Sequence, residues 1–161
     1  ESLNQFSQLV TKLLDHIDEE FDLGGIVVGL LLCGDDRSRQ LNKQFRGRDK
    51  ATNVLSFPQL DDDLFHDDVL ATTELPTLHF FGEIAIARET ATTQAGELGI
   101  EINDHLAHLF VHGLMHLLGY DHEIDQEANE MEAIEVAILA AFSIANPYLI
   151  TERARNHGLI V

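Results

Sequence analysis

Apolar residues at steps of three and four open the chain: Leu3, Phe6, Leu9, Val10, Leu13, Leu14 and Ile17 predict an amphipathic helix over residues 3–20. Gly24-Gly25 breaks it, and the run from Ile26 to Leu32, rich in β-branched residues, reads as a buried strand. Asp35 or Asp36 is placed to cap a second helix, with Leu41 and Phe45 on its inner side and basic residues outside. Thr52 to Phe57 reads as a second strand, ended by Pro58. Residues 59–77 carry six acidic side chains and little periodicity, which predicts a loop. A third strand is expected near Leu78 to Ala87, with Gly82 and Glu83 in its middle, then a helix near Glu89 to Leu98 that stops around Gly99. Asn103 or Asp104 caps a helix continuing to Leu118, and Gly119 stands where a left-handed C-terminal cap is expected. A last long helix is expected from about Asp125 to Ile144, its acidic first turns suiting the positive end of the helix dipole. With no internal repeat, no linker and no shift in composition, residues 1–161 read as one domain.

Composition narrows the class. The chain has 161 residues, 45% hydrophobic and 24% charged, enough to build one core without a second domain. No stretch reaches the roughly 18 consecutive apolar residues of a membrane span, so no membrane role is expected. The opening Glu1-Ser2-Leu3-Asn4-Gln5 lacks a basic segment followed by an apolar run, and no signal peptide is expected. Cys33 is the only cysteine, which rules out an internal disulfide and fits a reducing cytoplasm. A net charge of −18 argues against broad binding of nucleic acid. The placement of the positive charges qualifies this, since six of the ten basic residues (Arg37, Arg39, Lys43, Arg46, Arg48 and Lys50) fall within 14 positions. A local positive strip on an acidic body can grip a short length of phosphate backbone while the rest repels it. A solvated helix face is the plainer alternative.

Candidate chemistry is concentrated in the helix before Gly119. Five of nine histidines lie in 18 residues: His105, His108, His112, His116 and His122. Positions four apart share one helix face, so His112 and His116 can aim ring nitrogens at one point. Gly119 then turns the chain, and His122 returns from outside the helix as a third donor. Three neutral imidazoles fit tetrahedral zinc and leave a fourth position for water, whose pKa falls to about 7. A lone histidine in this setting reads as a hydrogen-bonded core residue. Several on a helix that is apolar nearly all round need partners together, and one ion satisfies them.

The spacing repeats the ligand pattern of metzincin proteases, but the position after the first histidine, glutamate in those enzymes, is Gly113 here. That argues against ordinary peptide hydrolysis. A glycine inside a helix costs about 1 kcal/mol against alanine, and at Gly113 it is read as serving close backbone approach to metal or substrate. His108, one turn before His112, is a candidate for support or packing behind the ligands. Asp121 and Glu123 flank His122 and are placed to orient its imidazole or to cap a helix. Glu83, mid-strand among apolar neighbours, is a further candidate for a buried carboxylate.

The run Val111-His112-Gly113-Leu114-Met115-His116-Leu117-Leu118-Gly119-Tyr120-Asp121-His122 resembles the YbeY family of bacterial rRNA maturation factors. The segment from Phe45-Arg46-Gly47-Arg48 through Thr52-Asn53-Val54-Leu55-Ser56-Phe57-Pro58 is similar to the family's other signature, and Gly82-Glu83-Ile84 falls on its Gly-Asp/Glu strand. The resemblance implies an α+β fold, a small mixed β-sheet packed with helices, with one zinc ion on the buried helix and the turn after it. It also implies a cytoplasmic, single-strand-specific endoribonuclease working on ribosomal RNA and the small ribosomal subunit, in maturation of the 16S 3′ end and late quality control. Arg46 matches the arginine linked to activity. Its guanidinium would clamp the scissile phosphate, with Arg48 and Ser56 helping to form the substrate pocket. Members of the family usually begin with a short strand, whereas this chain begins at the helix after it and lacks an initiator methionine, which suggests a trimmed or processed start. The competing expectation is a ribosome-binding assembly factor whose metal is structural.

Overall fold

The computed structural model describes residues 2–59 and 78–160. The loop expected over 59–77 therefore lies, except for Gln59, outside the described residues. The elements follow in the order α1 (Ser2–Phe21), β1 (Ile26–Cys33), α2 (Asp35–Arg46), β2 (Val54–Pro58), β3 (His79–Ala87), α3 (Arg88–Leu98), α4 (Ile102–Leu117), α5 (Asp125–Ala141) and α6 (Pro147–Asn156). The fold is α+β, with a mixed three-stranded sheet in the order β1-β3-β2. β1 runs parallel to β3, β2 antiparallel to it, and β2 is an edge strand among the described residues.

Side-chain alternation along the strands sorts the helices onto two faces. Ile84 and Ser56 point at α4, where they meet Gly113. The neighbouring Leu55 and Ala85 point the other way and close a small cluster with Leu41 of α2. The main core lies on the α4 side: Phe110, Val111, Leu114 and Met115 are sealed between the sheet, Leu13 and Ile17 of α1, and Met131 and Leu139 of α5. The all-round apolar character of α4 is thus explained by neighbours on every side.

Several expectations shift by a residue or two. Gly34, not an aspartate, stands at the N-cap of α2, and Asp35 instead accepts from the Thr90 backbone N–H (3.0 Å) and hydroxyl (2.8 Å) at the start of α3. Glu101 rather than Asn103 or Asp104 occupies the N-cap of α4. α5 stops at Ala141, three residues before the expected Ile144. Phe45 does not face inward: it is 58% exposed, its ring edge-on to Phe57 at 5.0 Å. α6 was not anticipated. Asn146 accepts from the backbone N–H groups of Tyr148 and Leu149, and Pro147 fixes the first helical position.

Candidate metal centre

Tight packing of α4 against the sheet sets the height of the site. A Cβ at Gly113 would lie 2.9 Å from Ile84 Cγ2, closer than packed side chains come, and 3.1 Å from Ser56 Oγ, a contact that would push the hydroxyl aside. The expectation that Gly113 opens the backbone to metal or substrate is corrected on this point, because the close approach is to strands β2 and β3. The Ser56 hydroxyl donates to the Gly113 carbonyl at 3.0 Å and ties the edge strand to the helix.

On either side of that contact, His112 and His116 share one flank of α4, and His122 comes back to them from the turn. One ligand nitrogen from each of the three lies within 4.8 Å of the others. Their ring centroids are 4.7 Å (112–116), 5.0 Å (116–122) and 5.8 Å (112–122) apart. Exposure rises outward. The side chain of His112 is 26% exposed and that of His122 is 59%, so the cluster opens to solvent on the His122 side.

The far nitrogens decide what the near ones can do. His112 Nδ1 donates to Glu135 Oε1 at 2.7 Å, and His116 Nδ1 donates to the Tyr120 carbonyl at 3.0 Å. A carboxylate and a carbonyl only accept, so in the neutral rings both Nε2 atoms carry bare lone pairs. These two atoms are 3.2 Å apart. Lone pairs facing at that distance repel unless positive charge lies between them. A cation shared with His122 meets that need, and a set of three imidazoles suits a zinc-type ion. His108, His112 and Glu135 form a second group of similar compactness. That group shares His112 with the first, and two of its members, His112 and Glu135, are already hydrogen-bonded to each other at 2.7 Å, so it fits a cation less well.

Burial pushes the His116 imidazole below its ordinary range, and His112 and His122 beside it push the same way. For Glu135 the influences oppose: burial raises the carboxyl, but the His108 and His112 rings and the Tyr148 hydroxyl against it hold it down to about 2. Glu135 is fully buried in the middle of α5. Sequence reasoning passed over it among the acidic residues of that helix. Its spacing from buried Met131 and Ile138, four before and three after, puts it on the inward face and was the available signal.

The remaining candidates fall as follows. His108 packs behind the cluster, with Nε2 3.4 Å from Glu135 Oε2 but without hydrogen-bond geometry, and its ring edge-on to Tyr148 at 5.5 Å. Asp121 accepts from the His122 backbone N–H at 2.7 Å, while its distance to the His122 ring is 3.9 Å, too long for a hydrogen bond. Glu123 is exposed. Glu83 is also exposed, contrary to the expected buried carboxylate, because its side chain lies over Gly29 on β1 at the open surface of the sheet. Arg46 and Arg48 are exposed around Gly47 at the end of α2. No described hydrogen bond joins Arg46 to the histidines. The two are separated by edge strand β2, where Ser56 faces the histidine helix and Phe57 faces Phe45, next to Arg46. Within the basic strip, Arg39 and Lys43 are bound to Asp49 at 2.7 and 3.0 Å, so part of its charge is neutralised internally.

Among known proteins, the family described as Endoribonuclease YbeY matches residues 1–143. A protein named Endoribonuclease YbeY from Francisella tularensis subsp. holarctica (strain FTNF002-00 / FTA) is 42% identical over 155 residues, covering 93% of this chain and 87% of its own. Its counterpart in Francisella tularensis subsp. novicida (strain U112) agrees to the same extent. The solution structure of TM1509 from Thermotoga maritima superposes with a TM-score of 0.54 at 29% identity, over 83% of this chain and 80% of that one. The histidine motif and the Arg46–Pro58 segment both lie inside the matched residues, and the chain belongs to the endoribonuclease YbeY family.

Proposed function

We propose that the chain is a zinc-dependent endoribonuclease of one catalytic domain, cleaving single-stranded RNA in the maturation of the 16S rRNA 3′ end and in late quality control of the small ribosomal subunit, in the cytoplasm. The observation that carries this reading is the solvent-facing convergence of His112, His116 and His122. Those three residues would hold the ion. When bound, it supplies positive charge toward a phosphodiester and lowers the pKa of adjacent water.

The chain's own groups supply placement. Arg46 and Arg48 close α2, on the side of β2 where Phe45 meets Phe57, and in this reading a single strand laid over that edge would reach both them and the histidines. Arg46 then neutralises charge that builds on the phosphate during cleavage. Ser56 acts through the Gly113 carbonyl, fixing the distance between β2 and α4.

A structural metal serving a non-catalytic assembly factor is the competing reading. The 59% exposure of His122 favours catalysis, since structural zinc sites are closed. Chelator added to purified protein with single-stranded RNA separates the two. Cleavage should stop and return with added zinc, whereas unchanged cleavage would defeat the catalytic role of the metal.

A further inference from the structure

Beside the histidines, two hydrogen bonds converge on one buried carboxylate of α5, and a third ring packs against it. Glu135 is 0% exposed, and both of its oxygens are engaged: Oε1 accepts from His112 Nδ1 at 2.7 Å and Oε2 accepts from the Tyr148 hydroxyl. Tyr148 stands in the first turn of α6, fixed there by its backbone N–H on the Asn146 side chain at 3.0 Å. His108 fills the remaining side of the carboxylate, with Nε2 at 3.4 Å. A buried carboxylate with one oxygen held by a hydroxyl has little freedom to rotate, so the direction of its other oxygen is set by α6.

We propose that Glu135, locked by Tyr148, is the positioning residue for His112: it fixes the Nδ1–H tautomer and the ring angle, and so sets how tightly the three histidines hold their ion. The inference rests on the metal reading given above and extends it to α5 and α6. α6 lies beyond residue 143, where the family match ends. In physical terms the carboxylate does two things. It commits the proton to Nδ1, leaving Nε2 bare, and it raises the basicity of the ring, which strengthens the bond to a cation. His116 receives only a neutral carbonyl on its Nδ1, so His112 is the ligand whose strength the protein tunes most.

The test uses the full chain in three forms: wild type, Glu135→Gln and Tyr148→Phe. Zinc affinity is measured by competition with a chromophoric chelator, and histidine tautomers are read by nitrogen-15 NMR of the metal-free protein. Wild type should show His112 as the Nδ1–H tautomer. Glu135→Gln should lose about 10–100-fold in zinc affinity. Tyr148→Phe, which keeps the ring against His108, should lose less but in the same direction. The tautomer needs no variant, so it decides the matter even if Glu135→Gln fails to fold. An Nε2–H tautomer for His112 in wild type overturns the assignment. So does unchanged affinity in both variants while His116→Ala abolishes binding, a result that leaves the metal reading intact. Two ions per chain, one of them lost in Glu135→Gln, overturn it by making Glu135 a ligand. A wild-type chain that takes up no zinc overturns the metal reading itself, and the inference with it.

Discussion

Single atoms decide the shape of the site. Gly113 is the clearest case, because a methyl group there would press on Ile84 Cγ2 and Ser56 Oγ at 2.9 and 3.1 Å. Gly113→Ala should gain about 1 kcal/mol in helix propensity and lose about 1–3 kcal/mol to overpacking, for a net effect between about zero and a loss of about 2 kcal/mol. Urea unfolding measures it, and a stabilised variant would contradict the close approach of α4 to β2. Arg46→Ala, on an exposed helix end, should keep fold and metal content and lose most single-strand cleavage. Normal turnover would remove Arg46 from the mechanism. The three histidines were legible in the sequence because two sit four apart on one helix face and the third follows a glycine turn, a pattern with few other uses. Glu135 was not, since glutamates also stand at 127, 130 and 132 of the same helix, and only the fold shows which one is sealed in.

Periodicity served well for elements whose buried side is long. α1 and α4 were legible nearly to their ends, and β1 and β3 by their apolar runs. Phe45 failed because a helix lying over a narrow sheet leaves its rim residues uncovered, and hydrophobicity alone does not say where the sheet stops. Glu83 failed for a different reason: it stands on the central strand β3, but the face of the sheet over Gly29 is left open there. α6 was missed although Asn146-Pro147 is a start signal, because its ten residues carry too weak an apolar stripe to stand out. The cap is testable. Asn146→Ala removes the acceptor for Tyr148 and Leu149 and should cost about 1 kcal/mol by thermal or urea unfolding. No change would mean that α6 is held by packing alone.

Across the whole molecule, helices on both faces of a small sheet enclose, among the described residues, a polar zone around His105 and Glu135. His105 Nε2 lies 3.0 Å from Gln94 Oε1, and since that oxygen only accepts, the ring donates. Burial, helped by His108, pushes the His105 imidazole down from 6.5 to about 4. The unfolded chain therefore binds the proton first as pH falls. Stability that is whole above pH 6.5 should decline toward pH 4, by roughly 3 kcal/mol for a shift of this size. Urea midpoints of the metal-free protein across that window should fall steeply in wild type and more gently in His105→Gln. Equal slopes would show that the proton goes elsewhere.

Everything proposed for the site depends on His112, His116 and His122 meeting around one cation, and metal content reads that out without an assay of activity. Protein purified without supplementation is analysed for elements beside His116→Ala prepared in the same way. The expected result is one transition-metal ion, zinc, per wild-type chain and a small fraction of that in the variant. A wild-type chain free of metal that also fails to take it up, or a variant that keeps its full complement, would contradict it.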